Sequence, residues 1–305
     1  MSALQNAMDE YLTIRRALGY KLYGDGLVIQ QFVRFAESEE ADFITTRLAL
    51  RWATQPVNAQ PAHWARRLSI VRGFAKYRSA SDPRTEVPPA NLLPHRAHRP
   101  APYIYTDNEV RCLIKAALQL PSAVGLRRYT YATLFGLIAV SGMRIGELLH
   151  LDRDDVDLTQ GILTVRDGKF GKTRWIPLHS STQQALQEYV VKRDRLCPNP
   201  QVPSFFIAEH GVRLTGDIVR YTFIKLSRQT GLRGPTDTHG PRLHDFRHRF
   251  AVNTLLEWYR SGTDVNRHLP ELATYLGHVH VTDTYWYLSA TPELMQLAAS
   301  RLEGE

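Results

Sequence analysis

Cysteine is scarce in this sequence: Cys112 and Cys197 are the only two, they stand far apart, and neither belongs to a metal-binding motif. Disulfide-stapled secreted domains and zinc sites both need cysteines in sets at ordered spacings. The scarcity therefore argues against both classes and is typical of a protein of the reducing cytoplasm.

Long apolar runs are also missing. A membrane-spanning helix needs about 20 consecutive apolar residues, and the run from Tyr131 to Val140 is too short. The first residues lack the basic-then-apolar pattern of a signal peptide. There is no internal repeat and no low-complexity tract. We therefore expect a cytoplasmic protein without a membrane segment.

What the sequence does contain is an excess of positive charge. Its 305 residues leave room for two domains, and the formal net charge is +8 with a pI of about 9.5. Residues 1–100 hold 14 Lys and Arg against 9 Asp and Glu, a net charge of +5. This excess predicts an anionic partner, of which nucleic acid is one candidate among several.

Apolar residues recur at helical spacing in the first domain, residues 1–81, and predict four helices. The first runs from its cap Ser2 to Leu18, and the second spans 27–39. The third is capped by Thr45 or Thr46, and the fourth spans 61–78. One face of the fourth carries Arg66, Arg67, Arg72, Lys76 and Arg78. Such a face either follows a DNA backbone or is simply solvated, and the sequence leaves both open.

Residues 82–102 contain repeated prolines, which exclude a continuous helix, together with four basic side chains near their end: His95, Arg96, His98 and Arg99. The pattern predicts an extended, basic interdomain linker. The second domain would then occupy residues 103–305.

The second domain opens with a capping box, Thr106 followed by Glu109. An apolar helix over residues 127–140 is predicted to be its buried centre. The next helix begins around Met143, which puts Arg144 near a helix N-terminus, a natural anion site. Glu147 lies one turn further on and is predicted to brace Arg144, unless the two form an ordinary surface pair.

The periodicity then changes to that of strands. Residues 162–165 and 173–178 alternate as strands, and residues 167–172 read as the turn between them. Lys169 and Lys172 stand in that turn; they are either solvent-exposed or part of a hairpin that delivers an ammonium to a phosphate. The predicted fold class is mainly α with a small β-hairpin or sheet (α+β).

Groups suited to phosphodiester chemistry concentrate near the end of the chain. His244 and Arg247 share one helix face, His278 follows a helix-ending glycine, and Tyr287 comes nine residues later. An Arg fork binds two phosphate oxygens, an imidazole moves protons near neutral pH, and a tyrosine can act as a nucleophile. Each motif alone has a structural explanation: a solvated pair, a helix cap, core aromatics. His278 with His280 is weak evidence for a metal.

Taken together, the motifs resemble those of the tyrosine recombinases, the phage-integrase and Xer-like enzymes. Six residue types occur in that family's order: Arg144, Lys169, His244, Arg247, His278 and Tyr287. The motif match covers about residues 103–300, whereas residues 1–81 resemble the family's helical core-binding domain in architecture alone. Tyr285 stands close to Tyr287 in the sequence and has to be excluded as the nucleophile. The choice of Lys169 over Lys172 as the family's lysine depends on its place directly after Gly168.

The resemblance implies a site-specific recombinase that cleaves and rejoins double-stranded DNA through a 3′-phosphotyrosine at Tyr287. Arg144 and Arg247 would bind the non-bridging oxygens, Lys169 would protonate the leaving 5′-oxygen, His244 would assist removal of the tyrosine proton, and His278 would bond the phosphoryl group. No cofactor, ATP or metal ion is implied, and no carboxylate cluster of the two-metal kind is evident. Alternatives are a type IB topoisomerase, a metal-dependent nuclease and a non-catalytic DNA-binding protein.

The tail predicts one more helix, with Thr291 as N-cap and Pro292 at the first position. Its apolar stripe contains Leu294, Leu297, Ala298 and Leu302. The stripe packs either on its own domain or on a neighbour. The resemblance favours a neighbouring protomer within a homo-tetramer on paired sites.

Overall fold

The structure is a computed structural model that describes residues 2–94, 101–166 and 173–303. The chain forms two compact units, Met1–Pro100 and Ala101–Glu305. Helices dominate, and one small antiparallel sheet accompanies them, which confirms the predicted fold class. Across these ranges no helix is both long and apolar enough to span a bilayer.

Four helices make up the first unit: α1 (Ala3–Ala17), α2 (Tyr23–Ser38), α3 (Thr46–Ala53) and α4 (Pro61–Arg78). Ser2 and Thr45 cap α1 and α3 by accepting main-chain N–H bonds of 3.1 Å, as the sequence predicts. The apolar faces meet around Phe32, Trp52 and Phe74, all fully buried. Helix α2 begins four residues earlier than predicted, after Leu22 in a left-handed conformation.

The basic face of α4 is partly used within its own unit. The Arg67 guanidinium lies 3.8 Å from the centre of the Trp52 ring and donates to the Trp52 carbonyl at 3.0 Å. Arg78 pairs with Asp82 at 3.2 Å, whereas Lys76 is exposed. Arg66 also pairs with Asp25, and Arg72 donates to Ser69, both at 3.3 Å, so four of the five predicted cations have structural partners.

Residues 82–94, which the sequence places in the linker, pack on the first unit. Asp82 is buried and accepts from Arg84 at 2.8 Å as well as from Arg78. The Glu86 N–H donates to the Ile44 carbonyl at 2.8 Å, and Leu93 contacts the apolar core. The prolines exclude a helix, but ion pairs and main-chain bonds still hold the segment, so the first unit extends past residue 81.

The second unit is built around one buried helix, α6, in which ten residues are buried. The unit's first five helices are α5 (Asp107–Leu118), α6 (Leu126–Ser141), α7 (Ile145–His150), α8 (Ser180–Leu196) and α9 (Gly216–Gln229). The predicted capping box at α5 is present, with Thr106 and Glu109 each accepting from the other's main chain. Helices α5 and α8 pack directly on α6, which confirms its predicted central place.

The sheet has three antiparallel strands in the order β1 (Val156–Asp157), β2 (Ile162–Val165) and β3 (Arg174–Pro177), preceded by a short 3-10 helix at Arg153–Asp155. The sequence predicts β2 and β3 but not the two-residue β1. Leu163 pairs with Ile176 and both are fully buried. The turn between β2 and β3, with Lys169 and Lys172, lies outside the described residues.

The remaining helices are α10 (Asp245–Arg260), α11 (Val265–Leu276), α12 (Thr282–Tyr285), a 3-10 turn (Trp286–Ser289) and α13 (Pro292–Glu303). They share an apolar cluster that includes Leu255, Leu269, Tyr287 and Leu294.

Helix α13 lies against α10 of the same chain, and Leu294 is fully buried there. Within the chain Leu294 is thus covered by α10, whereas the resemblance favours docking of this helix on a neighbouring protomer. Met295, on the same helix, is 54% exposed.

Candidate active site

Two glycine-ended helices form the floor of the candidate site. Helix α6 ends at Gly142 and α11 ends at Gly277, with φ values of +59° and +67°. Both values lie in the left-handed region, where a glycine avoids the strain of a side chain. A Cβ atom at Gly142 would lie 2.6 Å from Cδ1 of Phe250. The two turns leave main-chain carbonyls that accept hydrogen bonds from arginines.

Arg247 is buried in the first turn of α10 and is 1% exposed. Its Nη1 donates to the Gly142 carbonyl at 3.1 Å and its Nη2 to the Leu276 carbonyl at 2.5 Å. Burial and the nearby Arg144 charge lower the pKa of Arg247 to about 10. A buried cation held by carbonyl dipoles is poorly compensated, and an anion placed beside it would be strongly attracted.

Arg144 is the N-cap residue of α7, in extended conformation. Its Nη1 donates to Oε1 of Glu147 at 2.8 Å, and its Nη2 donates to the Gly277 carbonyl at 3.2 Å. Its main-chain N–H also donates to Oε2 of Glu147 at 2.9 Å. These bonds confirm the predicted bracing by Glu147. Arg144 and Arg247 meet at the Leu276 carbonyl, which accepts from both.

The two candidate histidines flank these arginines. His244 is the N-cap of α10, so Arg247 follows it by one turn. Partial burial and the Arg247 charge lower the pKa of His244. Burial, and then Arg247 and Arg144, lower the pKa of His278 to about 4. Both rings are therefore neutral near pH 7, each with one nitrogen able to accept a proton.

Tyr287 packs among these groups and is only 3% exposed. Its ring lies nearly parallel to that of His278, with centroids 6.1 Å apart, and 5.5 Å from that of His248. A hydrogen bond to Tyr287 is one of the effects that raise the Arg247 pKa against its burial. Tyr285 is 49% exposed. The structure therefore groups Tyr287, rather than Tyr285, with the arginines and histidines.

Five of the six predicted residues thus lie in one place: Arg144, His244, Arg247, His278 and Tyr287. Lys169 lies outside the described residues. His280 is exposed, and in the described part of the chain no group of three His, Cys, Asp or Glu side chains is arranged to hold a metal ion.

The sequence interpretation missed two polar partners in the site. Thr284 is fully buried, with its Oγ1 2.7 Å from Nδ1 of His278. Arg174 on β3 forms an ion pair with Glu147. The alternation of strand β3 put Arg174 on the same face as the inward Ile176, and this signal could have identified it.

Comparison with known proteins finds relatives that match most of the chain. The model of the phage integrase family matches residues 104–293. A Sinorhizobium fredii protein named integrase/recombinase y4rB is 50% identical over 308 residues, covering 99% of this chain and 98% of that protein. The tyrosine recombinase XerD of Caulobacter vibrioides is 31% identical, covering 76% of this chain and 72% of that protein.

Solved structures give the same fold. The integrase of the Tn1549 transposon, in complex with transposon right end DNA, matches with a TM-score of 0.70 at 16% identity, covering 99% of each chain. A lambda integrase dimer bound to a core site matches with a TM-score of 0.59 at 18% identity, covering 94% of this chain and 77% of the other. Fold and family together define the class: an enzyme of site-specific DNA recombination, which cleaves and rejoins DNA. The chain belongs to the phage integrase family of tyrosine recombinases.

Proposed function

We propose that Tyr287 is the nucleophile of this recombinase. Its hydroxyl oxygen attacks the scissile phosphorus, a new P–O bond forms, and the bond to the 5′-oxygen breaks. The products are a 3′-phosphotyrosine and a DNA strand with a free 5′-hydroxyl. The observation that carries this proposal is the packing of Tyr287 beside His278 and Arg247, whereas Tyr285 is half exposed.

Arg144 and Arg247 are proposed to bind the non-bridging oxygens of that phosphate. Both guanidiniums are held by main-chain carbonyls before any ligand arrives. Donors fixed in advance, in a site of reduced water access, stabilise the charge of the pentacoordinate transition state most effectively. Burial and the Arg144 charge lower the pKa of Arg247, and an anionic phosphate beside this guanidinium would offset both effects.

The two histidines would then divide the remaining work. His244, with its lowered pKa, is neutral and can take the tyrosine proton as a base. His278, neutral as well, would donate a hydrogen bond to a phosphoryl oxygen while Thr284 fixes its ring. Lys169 is proposed to give its proton to the leaving 5′-oxygen. The bond energy stays in the phosphotyrosine, so we propose that neither a metal ion nor a nucleotide is required.

The assembly proposed is a homo-tetramer on paired DNA sites. A related structure, the lambda integrase bound to a Holliday junction, is a tetramer, and head-to-tail contacts of one kind close into such a ring. The first unit would act as a core-binding domain, with exposed cations such as Lys76 on α4 contacting the DNA backbone. We also propose a cytoplasmic location.

The test is covalent trapping of the protein on duplex DNA taken from its own genomic neighbourhood, in excess chelator. The intact chain and Tyr285→Phe should form a protein–DNA adduct, whereas Tyr287→Phe should bind the same DNA and form none. An adduct that persists without the Tyr287 hydroxyl contradicts the assignment. A strict need for Mg²⁺ would instead identify a metal-dependent nuclease.

A further inference from the structure

Arg174 lies outside the set of motif residues, yet all three nitrogens of its guanidinium donate hydrogen bonds to protein groups. Its Nη1 and Nη2 donate to Oε1 and Oε2 of Glu147 at 3.1 and 2.7 Å. Its Nε donates to the Tyr275 carbonyl at 2.8 Å. The side chain is only 11% exposed. The guanidinium is thus committed to protein partners, in a geometry that Lys could not reproduce.

The same guanidinium lies against the turn that holds Arg144. A Cβ atom built on Gly277 would be 3.0 Å from Nη1 of Arg174, so Arg174 occupies the space that the glycine leaves open. The Gly277 carbonyl in turn accepts from Nη2 of Arg144. Arg174 therefore contacts both partners of Arg144, the Glu147 carboxylate and the end of α11.

These contacts also set the ionisation state of Glu147 and the net charge of the group. Burial raises the pKa of the Glu147 carboxyl, but the bonds and charge of Arg174, followed by those of Arg144, outweigh it, and the pKa lies below its usual value. Glu147 is therefore ionised. Arg144, Arg174 and Arg247 against Glu147 give the group a net charge of +2. Without Arg174 the net charge would be +1.

Loss of Arg174 would also change how Glu147 uses Arg144. A buried carboxylate is best stabilised by a bidentate guanidinium partner. Arg174 on β3 is that partner for Glu147. With Arg174 absent, Glu147 would draw both terminal nitrogens of Arg144 toward itself. Arg144 would then lose its bond to Gly277 and its alignment for a phosphate.

We propose that Arg174 is a positioning residue for DNA cleavage: by pairing with Glu147 and packing on Gly277, it keeps Arg144 aligned with the scissile phosphate and the surrounding group net positive. This inference rests on the proposed function, in which Arg144 binds that phosphate.

The first measurement is the single-turnover rate of adduct formation at saturating DNA. Arg174→Ala should lower the rate by about tenfold to a hundredfold, within the range seen when a transition-state donor is lost. Arg174→Lys should fall between that variant and the intact protein, because it keeps the charge but not the fork. Arg166→Ala is the matched control, since Arg166 flanks the same hairpin, is 63% exposed and pairs with Asp155 rather than Glu147. Its cleavage rate should stay within about twofold of that of the intact protein, because Arg166 has no contact with Glu147 or Gly277 in the described residues.

The second measurement separates positioning from a merely structural role. In DNA whose scissile phosphate carries a methyl group in place of one non-bridging oxygen, the centre is neutral and needs less cationic stabilisation. The defect of Arg174→Ala, or of Arg174→Lys if the alanine variant does not fold, should shrink by at least about fivefold on this DNA, the sign of a lost electrostatic effect. An equal defect on both substrates, or full activity of Arg174→Ala on normal DNA, overturns the inference. Absence of any adduct with the intact protein would instead overturn the proposed function.

Discussion

Arg144 and Arg247 lie in one site, but different hydrogen bonds hold their guanidiniums in position. Arg247 is buried, and carbonyls of Gly142 and Leu276 fix its two terminal nitrogens. Arg144 is partly exposed and divides its donors between Glu147 and Gly277. The position of Arg144 therefore depends on the planar fork of its own side chain, since a single ammonium cannot reach both acceptors.

Replacing Arg144 with Lys should accordingly lower the single-turnover cleavage rate by about a hundredfold or more, as for a lost transition-state donor, while DNA binding is spared. The measurement is adduct formation beside a binding titration at the same salt concentration.

Arg153→Lys is the control for that substitution. Arg153 also forms a two-pronged pair, with Asp194, but it is 45% exposed and lies outside the site. The Arg153→Lys variant should cleave DNA at nearly the rate of the intact protein. Near-full activity of Arg144→Lys would remove Arg144 from the proposed mechanism.

The sequence identified residues whose role is local and missed those whose role is tertiary. Arg144 stands at a helix start and His244 one turn before Arg247, so local spacing together with the family resemblance pointed to them. Arg174 meets Glu147 across 27 residues of sequence, and the buried position of Thr284 depends on how the chain folds back after α11. Strand alternation places Arg174 on the inward face of β3, but spacing along the sequence does not identify Glu147 as its partner.

Helix ends, rather than helix interiors, decide the geometry of the site. Gly142 closes α6 with φ +59°, and an added methyl group would meet the Phe250 ring at 2.6 Å. Its carbonyl also holds Arg247. Gly142→Ala combines backbone strain with a clash, so we expect it to lower the free energy of unfolding by about 2 kcal/mol or more and to slow cleavage. Urea denaturation and the adduct assay measure the two effects.

Gly136→Ala, in the same helix, provides the contrast. Gly136 lies in the interior of α6, and its added methyl would contact only Cδ1 of Ile114 at 3.9 Å, an ordinary separation. Because alanine favours a helix over glycine, the substitution should be neutral or stabilising by up to about 1 kcal/mol. If both variants lose stability equally, the left-handed turn at Gly142 is not the cause.

At the level of whole elements, the sequence predicted those with strong periodicity and missed those defined by their partners. The capping box of α5 and the apolar length of α6 are local signals. The two-residue strand β1 exists only through pairing with β2, and Pro270 lies inside α11, where local rules would end a helix. The sequence predicts a linker over residues 82–94 because composition does not reveal the ion pairs that hold this segment on the first unit.

At the scale of the whole molecule, we expect the tail helix α13 to contribute to assembly. Deleting residues 291–305 should spare DNA binding but impair the paired-site complex and recombination, as measured by particle mass on DNA that carries paired sites. A truncated protein that assembles and recombines at the intact rate contradicts docking on a neighbour.

Because Leu294 also packs on its own α10, the deletion alone mixes the two effects, and Met295→Ala separates them. Met295 is exposed in the single chain, so its truncation should leave unfolding unchanged to within about 0.5 kcal/mol while still weakening the assembly.

The arginines of the candidate site are oriented by carbonyls of Gly142, Leu276 and Gly277, and every amino acid carries such an oxygen. A mutation at Leu276 can change a side chain, but it cannot delete this acceptor. The positions of these acceptors depend instead on the path of the backbone, which turns at Gly142 and Gly277. Laboratory evolution toward a new DNA target could therefore diversify most side chains around the site while the two glycine codons stay fixed.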